Sequence, residues 1–150
     1  MDITIIERVH LHKHLGVFLT SDLTWDKQIA HITKKVNLKL SIMWQVKELS
    51  RHCLDVLSKL HVSASIDYCI TVFGPCLNLM QIRKLDNLKY RAAKIVTGAL
   101  KFTSQDNLFR ELGWETTTQR IKQLCLRETL VQKKQLKKQT LSAFGRPPPP

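Results

Sequence analysis

Leu79-Met-Gln-Ile-Arg-Lys-Leu-Asp-Asn-Leu-Lys-Tyr-Arg-Ala-Ala-Lys-Ile-Val-Thr-Gly98 is the stretch on which the fold turns. At about 100° per residue, Ile82, Leu85, Leu88, Ala92, Ile95 and Val96 share one broad face. Arg83, Lys84, Asn87, Arg91 and Lys94 share the opposite face. Asn78 stands where its side-chain oxygen can cap the free amides of the first turn. Gly98 stands where a left-handed residue can end the helix without steric cost. Lys89 falls on the apolar side, where its stem is expected to run along the edge and its ammonium to reach water. The ordinary fate of a basic helix face is solvation, so a sharper role needs support from the rest of the chain.

Outward from this helix the chain stays helical. Thr24 or Asp26 can cap a helix running to about Leu49, with Ile29, Ile32, Val36, Leu40 and Met43 in phase and Trp44 beside them. Ser50 can cap another over about Arg51 to Tyr68, with Leu54, Leu57, Leu60, Ala64 and Ile66 inward. Period alone leaves Ile70 to Phe73 open between helix and strand, and Gly74-Pro75 stops it. Ser104 can cap a short helix over Gln105 to Leu112 that Gly113 ends, with Trp114 as a core plug. One of Thr116, Thr117 and Thr118 can cap a last helix from about Gln119 to Lys138, whose apolar positions are Ile121, Leu124, Cys125, Val131 and Leu136. Only the front differs. Ile3 to Thr20 alternates with period two and carries β-branched residues, which favours strands, with Gly16 allowing a bulge or close backbone approach.

The expected fold is therefore mainly α: a bundle of about five helices with a small N-terminal β-hairpin or strand pair. Residues 1–23 form the β element and 24–138 the helical domain. Residues 139–150, ending in four prolines, form an extended, disordered tail.

Composition narrows the function. The chain of 150 residues has 24 Lys and Arg against 12 Asp and Glu, a net charge of +12. Such an excess points to an anionic partner, nucleic acid or an acidic membrane surface. No apolar stretch is long enough for a membrane span. Cys53, Cys69, Cys76 and Cys125 include no Cys-x-x-Cys pair, which argues against a zinc ribbon. Nothing at the front resembles a signal peptide. The reading predicts a soluble intracellular chain with reduced thiols, and nothing in it separates nucleus from cytoplasm.

Catalytic constellations are missing. His10-x-His12-x-His14 sets three imidazoles on one side of a strand without an apparent fourth ligand, so alternating polar positions are the simpler explanation. Asp22 and Asp26 flank Trp25 and fit turn and cap chemistry. There is no Asp-Asp pair, no glycine-rich phosphate loop and no Gly-x-Ser-x-Gly elbow. His52 beside Cys53 lacks a local signature for cysteine catalysis. No active site, metal or cofactor is expected. Basic rows are the better signal: Lys34, Lys35 and Lys39 on one helix, Arg83, Lys84, Arg91 and Lys94 on another. The last helix adds Arg120, Lys122, Arg127, Lys133, Lys134, Lys137 and Lys138 against a single Glu128. Such rows contact phosphates without reading sequence. Base stacking would need an exposed aromatic, and Trp44, Tyr90 and Phe102 are the candidates.

Five motifs then line up. His12-Lys13-His14-Leu15-Gly16-Val17 is followed by Ser21-Asp22-Leu23-Thr24-Trp25 with Ile29 and Ile32. Ile66-Asp67-Tyr68-Cys69-Ile70-Thr71-Val72-Phe73-Gly74 comes next, then Leu85 to Gly98 with Arg91-Ala92-Ala93-Lys94-Ile95-Val96-Thr97-Gly98. Leu108-Phe109-Arg110-Glu111-Leu112-Gly113-Trp114-Glu115-Thr116 with Gln119-Arg120 closes the series. In this order and spacing they resemble the segment after the polymerase palm in non-LTR (LINE-like) retrotransposon reverse transcriptases. The resemblance spans about residues 9 to 130. Phe73 stands where that family usually has tryptophan, and Thr117-Thr118 replaces a usual apolar position.

The resemblance implies a thumb-like helical region of an RNA-directed DNA polymerase, whose catalytic two-aspartate palm lies upstream of these motifs. The chain is then expected to be a non-catalytic fragment. Its partners would be an RNA or DNA template–primer, held through phosphates, and the palm of a parent polymerase, with no membrane. Leu15 and Gly16 would approach the nucleic-acid backbone. Lys34, Lys35, Arg83, Lys84, Arg91, Lys94 and Arg120 would supply the positive surface. The rival expectation is a host-encoded basic helical module that binds protein partners and has no nucleic-acid role.

Overall fold

The computed structural model describes residues 9–100 and 102–144. It is mainly α, with a two-stranded antiparallel hairpin in front. The central element is the Leu79–Gly98 stretch. Helix α5 (Leu79–Thr97) opens on a reciprocal cap. Asn78 Oδ1 accepts from the Gln81 amide at 2.9 Å, and Gln81 Oε1 accepts from the Asn78 amide at 3.0 Å. Gly98 ends it in the left-handed conformation at φ +65°.

Four helices pack around α5: α1 (Asp26–Gln45), α2 (Arg51–Ser58), α6 (Gln105–Leu112) and α7 (Thr117–Phe144). Leu85, Leu88, Ala92 and Val96 join the main core, which holds Ile29, Ile32, Val36, Leu40 and Met43 of α1. Ala93 turns to a second cluster with Leu108 and Phe109 of α6. Adjacent alanines let neighbours approach the α5 backbone on two sides at once. Helices α1 and α5 run in the same direction, because Gln81 Nε2 donates to Asp26 Oδ1 at 2.8 Å and Arg91 Nη1 to Asn37 Oδ1 at 2.6 Å.

Strands β1 (Leu11–His14) and β2 (Val17–Thr20) pair with Leu11 opposite Thr20 and His14 opposite Val17. Leu15 and Gly16 form the two-residue turn, both with positive φ (+46° and +83°), the geometry that matches strand twist. Gly16 is thus a turn residue and not a bulge. A free two-stranded hairpin is marginal, but this one is docked. Val17 is buried in the core, the Phe18 amide donates to Gln28 Oε1 at 3.0 Å, and Tyr68 Oη donates to the Leu15 carbonyl at 2.7 Å. The strand character expected at Ile3 to Ile5 lies outside the described residues.

Several expectations need correction. Helix α1 ends at Gln45, short of Leu49, and neither Thr24 nor Asp26 caps it, since Trp25 occupies the N-cap position without a side-chain bond. Trp25 is instead a buried anchor against Phe73, with ring centroids 5.7 Å apart. Asp22 does take up the turn chemistry, accepting from the Thr24 amide and hydroxyl.

The stretch expected as one helix over 51–68 contains a π-helical segment, Lys59–Ser63, before α3 (Ala64–Asp67). A wider turn rotates the residues after it relative to a regular helix. Leu60 and Ala64 therefore face solvent, while Val62 and Ile66 enter the core. Cys69 then turns the chain through a left-handed residue, and Ile70 to Phe73 resolves as one helical turn, α4 (Ile70–Phe73).

Lys89 is buried rather than edge-lying. Its ammonium donates to the Glu115 carbonyl and lies 5.6 Å from the Phe109 ring centroid. Desolvation holds its pKa below the ordinary lysine value, opposed by Asp86, Asp67 and Glu115. Trp114 is half-buried and tethered, its indole N–H donating to Asp55 Oδ1 at 2.9 Å. Thr116 caps α7 reciprocally with Gln119. Helix α7 continues past Lys138 to Phe144, so residues 139–144 are helical and not tail. The proline run lies outside the described residues. Beyond Cys125 the apolar side chains Leu126, Leu130, Val131 and Leu136 are exposed, so Val131 and Leu136 are not core positions.

Candidate nucleic-acid interface

The parallel course of α1 and α5 has an electrostatic result. Each helix turns part of its basic row toward the cleft between them. Near the helix starts the cleft is lined by Lys27 and Lys34 of α1 and Lys84 of α5, with Asp26 as its acid. Further along it is bordered by Arg91 and Lys94 of α5, then Lys47 and Arg51 beyond the end of α1, with Glu48 as its acid. Asn37 and Ser41 line both portions, so the two adjoin, with the Arg91–Asn37 hydrogen bond at their junction. Apolar side chains floor its far end, among them Leu40, Leu54 and Ile95.

Not every cation is free to meet a ligand. Arg91 is oriented by Asn37, and Arg51 pairs with Glu111 at 2.7 Å, both partners about half exposed. Lys94 lies 4.4 Å from the Tyr90 ring centroid and Lys47 4.8 Å from that of Trp44. Cation–π contacts at exposed positions are weak and leave lysine tips able to reach a phosphate.

The residues expected to bind nucleic acid divide into four groups. Lys34, Lys84, Arg91 and Lys94 come together along the groove. Lys35 is exposed on the side of α1 that faces the hairpin, close enough to His31 to act on its titration, and Arg83 is exposed on α5 without lining the groove. Leu15 and Gly16 sit at the hairpin tip, where the Leu15 carbonyl is engaged by Tyr68. A Cβ on Gly16 would lie 3.6 Å from the Tyr68 ring. Positive φ and the turn account for this glycine within the fold itself.

Arg120 has structural work: its Nε donates to Asp67 Oδ2 at 2.9 Å, fastening α7 to α3. Lys39, grouped with Lys34 and Lys35 in sequence, is likewise committed. Its ammonium donates to the His61 carbonyl at 3.0 Å and to Ser65 Oγ at 2.5 Å, bracing the π-helical turn. Burial, and secondarily Lys35, lowers its pKa.

Sequence reasoning missed Lys27, Lys47 and Arg51 as groove residues. Lys27 was within reach, since it stands two helical turns before Lys34 and shares its face. Lys47 and Arg51 were not, because they enter the groove only through the bend between α1 and α2. Among the described residues no group of three His, Cys, Asp or Glu is placed to hold a metal ion, and no helix is long and apolar enough to cross a membrane. His12 and His14 stack with ring centroids 6.1 Å apart. Comparison with protein families, with curated proteins and with solved structures finds no match to this chain.

Proposed function

We propose that the domain is a nucleic-acid-contacting helical module of thumb-like type, without catalysis of its own, that holds a template–primer through its phosphates. The observation that carries this is the convergence of Lys34, Lys84, Arg91 and Lys94, with Lys27 and Lys47, on one groove between two parallel helices. A net charge of +12 adds long-range attraction for a polyanion. The motif resemblance to the post-palm segment of non-LTR retrotransposon reverse transcriptases agrees with this use, and an RNA–DNA primer–template is the natural substrate under that reading.

The test is binding of a labelled primer–template hybrid across salt concentration. Affinity should fall steeply between about 50 and about 200 mM salt, with a log–log slope of about −3 to −4.5 if four to five phosphates are neutralised at about 0.7–0.9 each. Binding that ignores salt, or none at low salt, would sink the proposal. Nucleotide incorporation by the chain alone should stay at background.

A protein-binding role is favoured by one observation: Leu126, Leu130 and Val131 of α7 are each exposed, with Leu126 and Leu130 one turn apart on the same face. Self-association that disappears on their replacement by glutamine would support it.

A further inference from the structure

Of the three tryptophans, two have evident work in the fold. Trp25 is buried against Phe73, and Trp114 is tied to Asp55. Trp44 is 59% exposed at the far end of the groove. It stands at the mouth of a cavity of about 990 Å³ with Leu40, Leu54, Ile95 and Val96 among its lining. Lys47, Arg51, Arg91 and Lys94 stand around that cavity, against Glu48 as its acid.

An aromatic ring beside an apolar recess, with the lysines Lys47 and Lys94 in the same lining, matches an unpaired nucleotide. Its base presents a flat apolar face, and its two flanking phosphates are anionic. Duplex offers the phosphates but keeps its bases stacked inside. We propose that Trp44 is a stacking platform for an unpaired base, so that this end of the groove takes single-stranded nucleic acid, such as an overhanging template.

The inference rests on the phosphate-groove reading and adds a strand preference to it. Lys47 lies over the Trp44 ring. It would trade that weak contact for a phosphate as the base stacks. The two other candidate aromatics are placed differently. Tyr90 spends its hydroxyl on the Thr103 carbonyl at 2.6 Å, and Phe102, although 93% exposed, does not line the cavity.

The experiment compares wild type, Trp44→Ala, Trp44→Phe and Phe102→Ala on a single-stranded homothymidine oligonucleotide and on a blunt duplex. Single strand should quench tryptophan emission in the wild type, and Trp44→Ala should remove that quenching. Trp44→Ala should weaken single-strand binding about tenfold and leave duplex binding within about twofold, since stacking acts on unpaired bases alone. Trp44→Phe should retain most of the affinity, and Phe102→Ala should change neither. Equal losses on both ligands, or no loss on the single strand, would overturn the inference, while salt-dependent binding by the wild type would still support the phosphate reading. Tighter capture of an acidic, leucine-bearing peptide than of the oligonucleotide would also overturn it, in favour of a protein partner. No binding of either nucleic acid at low salt would overturn the phosphate reading and this inference together.

Discussion

The Tyr68 hydroxyl donates to the Leu15 carbonyl at 2.7 Å, across 53 residues of chain. Two motifs that are separate in sequence, His-Lys-His-Leu-Gly and Ile-Asp-Tyr-Cys, are thus one contact in space. Leu15 is held at φ +46°, which is unfavourable for leucine. Its carbonyl is occupied by Tyr68, the residue just before the left-handed turn at Cys69. Tyr68→Phe should therefore loosen the hairpin selectively. The loss should be about 1 kcal/mol. Hydrogen exchange should show amides of residues 11–20 losing protection more than those of α5. Uniform loss across both elements would contradict a local anchor.

Among the described glycines, Gly74 has the least room for a side chain. A Cβ there would meet Ile121 Cγ1 at 3.0 Å and Ile70 Cγ1 at 3.1 Å. Gly74→Ala should push α7 away from α4 and destabilise by about 1–3 kcal/mol. Ile121→Ala should absorb part of that cost. In a double-mutant cycle by urea unfolding, the pair should lose less than the sum of the singles. Strict additivity would show that the glycine serves something other than this contact.

His31 should make hairpin docking sensitive to acid. It packs edge-on against Phe18, with ring centroids 5.0 Å apart. Its pKa lies below the ordinary value of 6.5, first through burial and then through Lys13, Lys35 and Lys34. A histidine whose folded pKa is lowered binds fewer protons folded than unfolded, so stability rises with pH in this window. The contribution is complete above the unfolded value and is lost as pH falls through the folded one. The thermal midpoint should fall between about pH 7.5 and about pH 5, and His31→Gln should flatten part of that slope. A slope unchanged in the variant would assign it to other groups.

The basic residues should separate by role. Lys84→Gln and Lys94→Gln should each reduce the salt slope of nucleic-acid binding by about one and leave the unfolding midpoint nearly unchanged. Arg120→Gln should do the reverse, because its guanidinium is paired with Asp67. Its cost should be about 1–2 kcal/mol for a partly exposed, hydrogen-bonded ion pair. The discriminating measurement is the salt slope beside a urea titration of each variant.

Capping of α5 should prove worth most where it is reciprocal. Asn78→Ala removes the acceptor for the Gln81 amide. It should lower stability by about 1 kcal/mol. Gln81 also reaches Asp26, so the same change should disturb the start of α1. A chemical-shift change confined to α5 would argue against that link.

The sequence by itself determined the elements that depend on neighbours in the chain. Asn78, Gln81 and Gly98 specify both ends of α5 through bonds and torsions within a few residues. Periodicity specifies the inward faces of α1 and α5, and composition specifies an excess of positive charge. Where regular geometry broke, the reading failed. The π-helical turn at Lys59–Ser63 moved Leu60 out and Val62 in, and no local signal announced it, since Lys39 braces that turn from another helix.

Only the tertiary structure decided which cations are free. Lys34 and Lys39 both fall off the apolar stripe of α1, yet one lines a groove and the other is tied to His61 and Ser65. Arg91 and Arg120 look alike in composition, yet one borders the groove and the other pins α7 to Asp67. Charge belongs to a residue, but availability belongs to what lies within about 3–4 Å of it, and that distance is set by the packing of helices far apart in the chain.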